Sequence, residues 1–303
     1  MNLQKERKVK KINPNNNIGI VVEVNLDKVI IFYNNSLHEI IENKNILYPG
    51  DKVSIKNNKI INILPRKNIL SRNKKDNTSK KEKLNNKVIA TNIDLAIIVV
   101  SSKEPPLHPK LIDRYIILLK ENNIPYIICI NKSDLIDKNI NKIIKIYQKI
   151  NIPIIKTSTI TKEGIDKLRT LIKNKQSILV GHSGVGKSSL INTLLNKNIT
   201  KTGKLSHQKG CHTTTKTKYY KIDEYTSILD TPGIKSLDLS YLKKDSLKNY
   251  FEEFIPYNNL CKYKNCLHQD EPISTCKIKQ LVKDEQISKE RYESYLKILN
   301  ETK

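Results

Sequence analysis

Apolar and polar positions alternate in short runs from residue 19 to residue 64: GIVVEV, KVIIFY, HEIIE, DKVSI and KIINIL. Polar turns such as NLD, NN and YPGD separate them. A period of two puts alternate side chains on one face, so each run predicts a short half-buried strand. Five such strands at this spacing predict a small all-β barrel of the OB type. The pattern stops in RKNILSRNKKDNTSKKEKLNNK, 66 to 87, where apolar residues are few and charges many. That stretch predicts a basic linker or flexible loop.

From 88 onward continuous apolar runs alternate with segments of helical period. VIATNIDLAIIVVS precedes the helix PKLIDRYIILLKENN; IPYIICI precedes a helix over 139 to 150; IPIIKTS precedes one over 163 to 174; then comes SILVGHSGVGKSSLINTLLN. Buried strands between helices predict a parallel sheet covered on both faces. A threonine-rich segment and two short strands, KYYKI and YTSIL, follow; beyond Leu239 a helical pattern surrounds a cysteine cluster. The chain thus divides into an OB-type barrel over 1–65, a basic linker over 66–87, an α/β nucleotide-binding domain over 88–239 and an α-helical, metal-binding domain over 240–303.

A chain of 303 residues has room for several such units. No stretch approaches the roughly 20 apolar residues of a membrane span, and the polar start MNLQKERKVKKINPNNN lacks the apolar stretch of a signal peptide. We expect a cytoplasmic monomer with no membrane partner. The formal charge of +25 points to a polyanionic partner, although a bias towards Lys, Asn and Ile codons could raise it without selection. Its distribution separates the two explanations. Residues 1 to 88 hold 19 Lys+Arg against 8 Asp+Glu, whereas 240 to 303 hold 12 against 10. The N-terminal part is therefore expected to touch nucleic acid, mainly by charge, since only Phe32, Tyr33 and Tyr48 offer rings for base stacking.

GHSGVGKS fits GxxxxGK[ST] between an apolar strand and a helix. In that pattern backbone amides cradle phosphates at a helix N-terminus. Gly181, His182, Ser183, Gly184, Val185, Gly186, Lys187, Ser188 and the following Ser189 are the expected phosphate contacts. Lys187 reaches the β- and γ-phosphates, and the Ser188 hydroxyl ligates magnesium. The base is read elsewhere. NKSD, 131 to 134, follows the buried strand IPYIICI, at the strand end where ligands bind in open α/β sheets; a second match, NKKD at 73 to 76, lies in the lysine-rich linker and is read as chance. Asp134 would accept two hydrogen bonds from guanine, Asn131 would contact the ring or brace the loop, the Lys132 stem would cover the base, and Ser133 completes the loop. Adenine would leave the Asp134 carboxylate unpaired, a loss of about 1–3 kcal/mol. KTSTITKEGIDKL supplies a second base-side loop with Ser158 as its contact. In DTPG, Asp230 would hold magnesium and the Gly233 amide would sense the γ-phosphate; in GCHTTT, Thr213 or Thr214 would close over the magnesium.

CKYKNCLHQDEPISTC offers Cys261, Cys266, His268 and Cys276. Three thiolates and an imidazole form a closed set suited to one structural zinc, and a redox site would more often show CxxC. The helical segments around Arg291, Tyr292 and Tyr295 are nearly neutral in charge, which favours packing or protein contact over RNA.

The order of these motifs is reversed relative to an ordinary GTP-binding domain, with the base loop about fifty residues before the phosphate loop. NKSD, then GHSGVGKSSLINTL, GCHTTT, LDTPGI and a Cys/His cluster, with ILPRKNILSR and NIDLAIIVVSSKEPP upstream, resembles the circularly permuted, small-subunit-dependent GTPase A family. The resemblance covers about residue 17 to about 300. It implies an OB barrel, a permuted GTPase domain, a zinc domain, and GTP hydrolysis coupled to maturation of the small ribosomal subunit and its rRNA. The family carries Gln in place of His182, Arg in place of Cys211, and a shorter metal-cluster spacing. Permutation is physically cheap because domain termini often lie close together.

The position after DTPG is Ile234, which cannot orient water as the glutamine found there in many GTPases does. His212, in GCHTTT, is the candidate catalytic residue together with Lys187, and the resemblance points to the same histidine. The alternative is a GTP-gated RNA-binding assembly module in which turnover is incidental.

Overall fold

The computed structural model describes residues 17–25, 28–41, 46–75, 84–136, 138–196, 217–230 and 237–302. No helix among them is long and apolar enough to cross a membrane.

All five expected barrel strands are present: β1 (Asn17–Val24), β2 (Lys28–Tyr33), β3 (Ser36–Ile41), β4 (Lys52–Lys56) and β5 (Lys59–Ile63). They form a curled antiparallel sheet in the order β3-β2-β1-β4-β5, an OB-type half-barrel. Two of its hairpins turn on Asn-Asn pairs with positive φ at both residues, Asn34–Asn35 and Asn57–Asn58. Asparagine tolerates that left-handed geometry, whose twist matches the flanking strands. Val21, Val29, Ile31, Val53 and Ile55 fill the concave side.

The segment expected as a basic linker is folded differently. β6 (Ile69–Lys75) and β7 (Leu84–Thr91) pair antiparallel, from Ile69 opposite Thr91 to Lys75 opposite Leu84. The hydrogen bonds of such a ribbon belong to the backbone, so a lysine- and asparagine-rich sequence can build it without an apolar pattern. The base of the ribbon is buried: Leu70 and Ala90 are fully enclosed in the core of the next domain.

That domain is a six-stranded sheet with helices on both faces. Its elements are β8 (Leu95–Ser101), α1 (Pro109–Glu121), β9 (Tyr126–Asn131), α2 (Lys138–Lys149), β10 (Ile154–Thr157), α3 (Ile165–Ile172), β11 (Gln176–Val180), α4 (Lys187–Leu195), β12 (Lys218–Lys221) and β13 (Ser227–Asp230). The order is β10-β9-β8-β11-β13-β12, parallel except for the antiparallel edge strand β12. Every residue of β8 and β11 is buried, so neither strand shows the strict apolar–polar alternation of a half-exposed one.

The C-terminal domain holds α5 (Lys244–Leu247), α6 (Lys277–Lys283) and α7 (Lys289–Leu299) around Phe251, Phe254 and Tyr295. Ile117 of α1 belongs to the same core, so this domain docks on a helix of the nucleotide domain. At the dock Arg291 is 2% exposed. It donates to Asp113 of α1 and makes two bonds to Glu253, at 2.7 and 3.1 Å. Tyr292 and Tyr295 donate to the carbonyls of His268 and Leu267 at 2.6 and 2.7 Å. All three residues serve packing, as the near-neutral charge of the segment suggests.

The expected stacking rings are engaged within the chain. Phe32 stacks on Tyr219 of β12, with centroids 6.0 Å apart, and the Lys221 ammonium lies 4.3 Å from its centre. Tyr48 sits under Arg66 at 4.9 Å, and Tyr33 lies 5.4 Å from His38.

Candidate nucleotide site and metal centre

The phosphate loop leaves β11 and enters α4 through Gly186, whose φ of 94° is left-handed. Only glycine fits here, because a Cβ at Gly186 would lie 2.2 Å from the Asn131 amide nitrogen. Close approach of the two loops is thus built into the backbone. Asn131, 1% exposed at the end of β9, donates to the Val185 carbonyl at 3.0 Å and accepts from Thr157 at 3.2 Å. These bonds tie the NKSD loop to the phosphate loop.

Lys187 is buried, and its ammonium donates to the Gly181 and His182 carbonyls at 2.8 and 3.0 Å. Burial lowers its pKa, with the Asp230 carboxylate pulling the other way. Burial likewise raises the pKa of Asp230, offset by Lys187 and Lys218. Asp230 Oδ1 is enclosed with no hydrogen-bond partner among the described residues. A buried carboxylate oxygen without a donor, beside the helix start that carries Ser188, has the chemistry of a magnesium ligand. Gly233, His212, Thr213 and Thr214 lie outside the described residues, as does Cys211. His182 is exposed, and its Nδ1 lies 2.9 Å from the Ser183 carbonyl oxygen.

The two loops expected to read the base lie against each other. Ser158, fully buried, donates to Asp134 Oδ1 at 2.6 Å and accepts from the amides of Ile160 and Thr161 at 3.2 and 3.1 Å. Lys132 adopts a left-handed φ of 58°, held by Ser102 donating to its carbonyl at 2.5 Å and by its own ammonium donating to the Glu104 carbonyl. Ser133 donates to Glu163 at 2.5 Å. Thr157 and Glu163 belong to no short sequence pattern, and their contacts depend on two loops meeting.

The ligand atoms of Cys261, Cys266, His268 and Cys276 all lie within 4.8 Å of one another. His268 Nδ1 faces the three sulfurs at 3.6, 3.2 and 3.4 Å, and Nε2 lies 3.2 Å from Asn258 Oδ1. An Nε2–H donated to Asn258 fixes the tautomer that leaves Nδ1 as an electron-pair donor. Burial holds the imidazole neutral, its pKa down to about 4. Burial raises the thiols of Cys266 and Cys276, a penalty that a bound cation reverses. The donor set therefore fits zinc. The long spacing before Cys276 is organised by Glu271, whose carboxylate accepts from the amides of Leu267 and Gln269 at 2.7 and 2.9 Å.

A parallel sheet whose base loop precedes its phosphate loop, preceded by an OB-type sheet and followed by a Cys/His domain, defines a circularly permuted P-loop GTPase. The RsgA GTPase family model matches residues 63–240, and the chain belongs to that family. A Borreliella burgdorferi protein named small ribosomal subunit biogenesis GTPase RsgA is 38% identical over 299 residues, 95% of this chain and 94% of its own. The protein of the same name from Caldanaerobacter subterraneus is 37% identical over 254 residues, 83% of this chain and 80% of its own. The crystal structure of YjeQ from Thermotoga maritima superposes with a TM-score of 0.71 at 30% identity, covering 94% of this chain and 98% of that one. The structure of YloQ, described as a circularly permuted GTPase, shares the fold with a TM-score of 0.67 at 23% identity, covering 94% of each chain.

Proposed function

We propose that this chain is a GTP hydrolase that binds the small ribosomal subunit through its rRNA, assists late maturation of that subunit, and is stimulated by it. The observation that carries the site assignment is the Asn131–Val185 bond, which joins guanine loop and phosphate loop although their order along the chain is reversed. The name shared by the relatives supports the choice of subunit.

In this reading the amides of 181 to 189 receive the phosphates, and Lys187 exchanges its two carbonyl partners for β- and γ-phosphate oxygens. Asp134, held by Ser158, accepts from guanine, with the Lys132 stem over the base. Ser188, Asp230 and Thr213 or Thr214 would hold magnesium, which when bound neutralises charge on the transferring phosphoryl group. The Gly233 amide senses the γ-phosphate. His212 orients the attacking water or takes its proton. One zinc per chain, held by Cys261, Cys266, His268 and Cys276, is structural, since four protein ligands leave no open position. The barrel and the β6–β7 ribbon carry the RNA contact, largely through charge, and the chain acts as a cytoplasmic monomer. Residues 231–236 join Asp230 to Leu237 and Leu239, which are packed in the core of the body and of the C-terminal domain, so loss of the γ-phosphate is transmitted along that route.

The test is GTP hydrolysis by the free protein and with purified small or large subunits, paired with sedimentation in GDP and in a non-hydrolysable GTP analogue. Small subunits should raise turnover by orders of magnitude, and His212→Ala should lose most of that stimulation while keeping its GTP affinity. Nucleotide-dependent binding without faster phosphate release would favour the GTP-gated assembly module instead. Binding to neither subunit would overturn the ribosomal assignment.

A further inference from the structure

We infer that Glu163 is a specificity-determining positioning residue, which aims Asp134 at the guanine edge by holding Ser133; the inference rests on Asp134 being the base reader. Two side-chain bonds connect the same pair of loops through consecutive residues of the first loop. Ser158 donates to Asp134 at 2.6 Å, and Ser133 donates to Glu163 at 2.5 Å. The second has the length of a charge-assisted O–H···O⁻ bond.

The support behind Glu163 is rigid. Its carbonyl accepts from Ser158 N at 3.0 Å, and its amide donates to Thr161 at 3.4 Å. The next residue, Gly164, has a φ of 68°, and a Cβ there would lie 1.9 Å from the Lys156 carbonyl oxygen. The chain can pass that point only as glycine, which fixes where the Glu163 side chain starts. On the receiving side, Lys132 is left-handed and Leu135 N donates to the Lys132 carbonyl at 2.9 Å. Ser133 and Asp134 thus lie inside one tight turn, and a bond to Ser133 limits rotation of the turn that carries the carboxylate. With Ser158 alone, Asp134 is tethered through one oxygen and can swing about that bond. With Glu163 holding its neighbour, both carboxylate lone-pair directions are set, as bidentate recognition requires.

Guanine and hypoxanthine separate this role from a merely stabilising surface bond. They differ by the 2-amino group, one of the two donors that the Asp134 carboxylate accepts. Loosened aim therefore costs GDP more than it costs inosine diphosphate. Binding of GDP, inosine diphosphate and ADP to the full chain is measured by competition with a fluorescent guanine nucleotide, for the parent, Glu163→Ala, Glu163→Gln and Ser133→Ala. Glu163→Ala and Ser133→Ala should weaken GDP by about three- to tenfold, the range for a partly exposed charge-assisted bond. Inosine diphosphate should change less than about twofold, so the GDP preference contracts, and Glu163→Gln, whose amide oxygen still accepts from Ser133, should restore it. Equal weakening of both nucleotides, or an unchanged ratio in either alanine variant, overturns the inference while leaving the base reader in place. A parent protein that does not prefer GDP to ADP would show instead that the base reader itself is wrongly assigned, and the inference falls with it.

Discussion

Both ends of the nucleotide domain are fastened by a buried aspartate and an arginine, and the two fastenings differ in kind. At the barrel joint Asp51, fully buried, accepts from Arg66 Nε and Nη2 at 2.7 and 2.8 Å, from Thr91 at 2.8 Å and from Tyr48 N at 2.9 Å. Two donors on each oxygen leave nothing unpaired. Around it Asn92 and Gln176 donate to the Gly50 and Thr91 carbonyls at 2.9 Å each, so the joint is a mesh of directional bonds. At the C-terminal dock one cation serves two anions. Arg291 bonds Asp113 and Glu253 between the rings of Phe251 and Tyr147, at 4.5 and 5.5 Å, while Asp113 Oδ2 has no partner among the described residues. Burial pushes the Asp113 carboxyl above its ordinary range, with Arg291 opposing. The barrel joint is electrostatically balanced; the dock depends on Arg291 remaining in place and on the apolar core behind it.

The largest test of that contrast is metal removal. Cys266 and Cys276 belong to the same core as Phe251 and Phe254, and the proposed structural zinc would contribute folding energy on the order of 10 kcal/mol. Chelation should abolish hydrogen-exchange protection across 251–299 while sparing the barrel joint; retained protection in metal-free protein would show that the apolar core suffices. Next comes Arg291→Leu, which strands two buried carboxylates and should cost about 3–5 kcal/mol in urea unfolding. A cost near zero would mean that the stacked rings, not the charges, make the dock. Asp51→Ala should cost less, about 2–3 kcal/mol, since Arg66 is partly exposed and can turn to water. Its effect should appear as barrel exchange with unchanged GDP affinity, and weakened GDP binding would reveal a coupling not expected of a balanced joint.

The smallest effect is a pH dependence with opposite signs within the dock. Asp113 has a raised folded pKa, so the folded state binds more protons above the unfolded value of about 3.9, and stability declines as pH rises through that window. Glu290 is held down to about 2 by Lys142 and Ser288, so its contribution is present above its unfolded value and is lost as pH falls towards 2. Urea titrations of Asp113→Asn and Glu290→Gln against the parent should change the slope in opposite directions; parallel changes would remove Asp113 as the source.

The nucleotide loops and the metal cluster were legible because their chemistry is local. Gly181 to Ser188, Asn131 to Asp134 and Cys261 to Cys276 lie within runs whose spacing is itself the requirement. The strands were legible wherever one or both faces are buried, as in β2 and β8. The β6–β7 ribbon was not, because its pairing is made by backbone groups that any side chain allows. The dock was equally hidden, since 178 residues separate Asp113 from Arg291 and an exposed arginine has the same letter as a buried one. The rings of Phe32 and Tyr48 were visible as aromatic, but what covers them is set by tertiary contact.

The contact of Phe32 with β12 has a consequence for solubility. β12 is the outer strand of the six-stranded sheet, only four residues long, pairing with β13 along one side. An open strand edge is a template for joining another chain, and proteins blunt such edges with lysines, short length or a cover. β12 has all three: Lys218 and Lys221 at its ends, its brevity, and the barrel laid across Tyr219, with Lys221 donating to Asn35 at 2.9 Å. Cutting the barrel away therefore exposes an edge as well as removing the proposed RNA-binding surface, so a truncated chain should self-associate at concentrations where the whole chain does not. Light scattering on the truncated protein, with and without Tyr219→Lys, would separate aggregation from true loss of ribosome affinity.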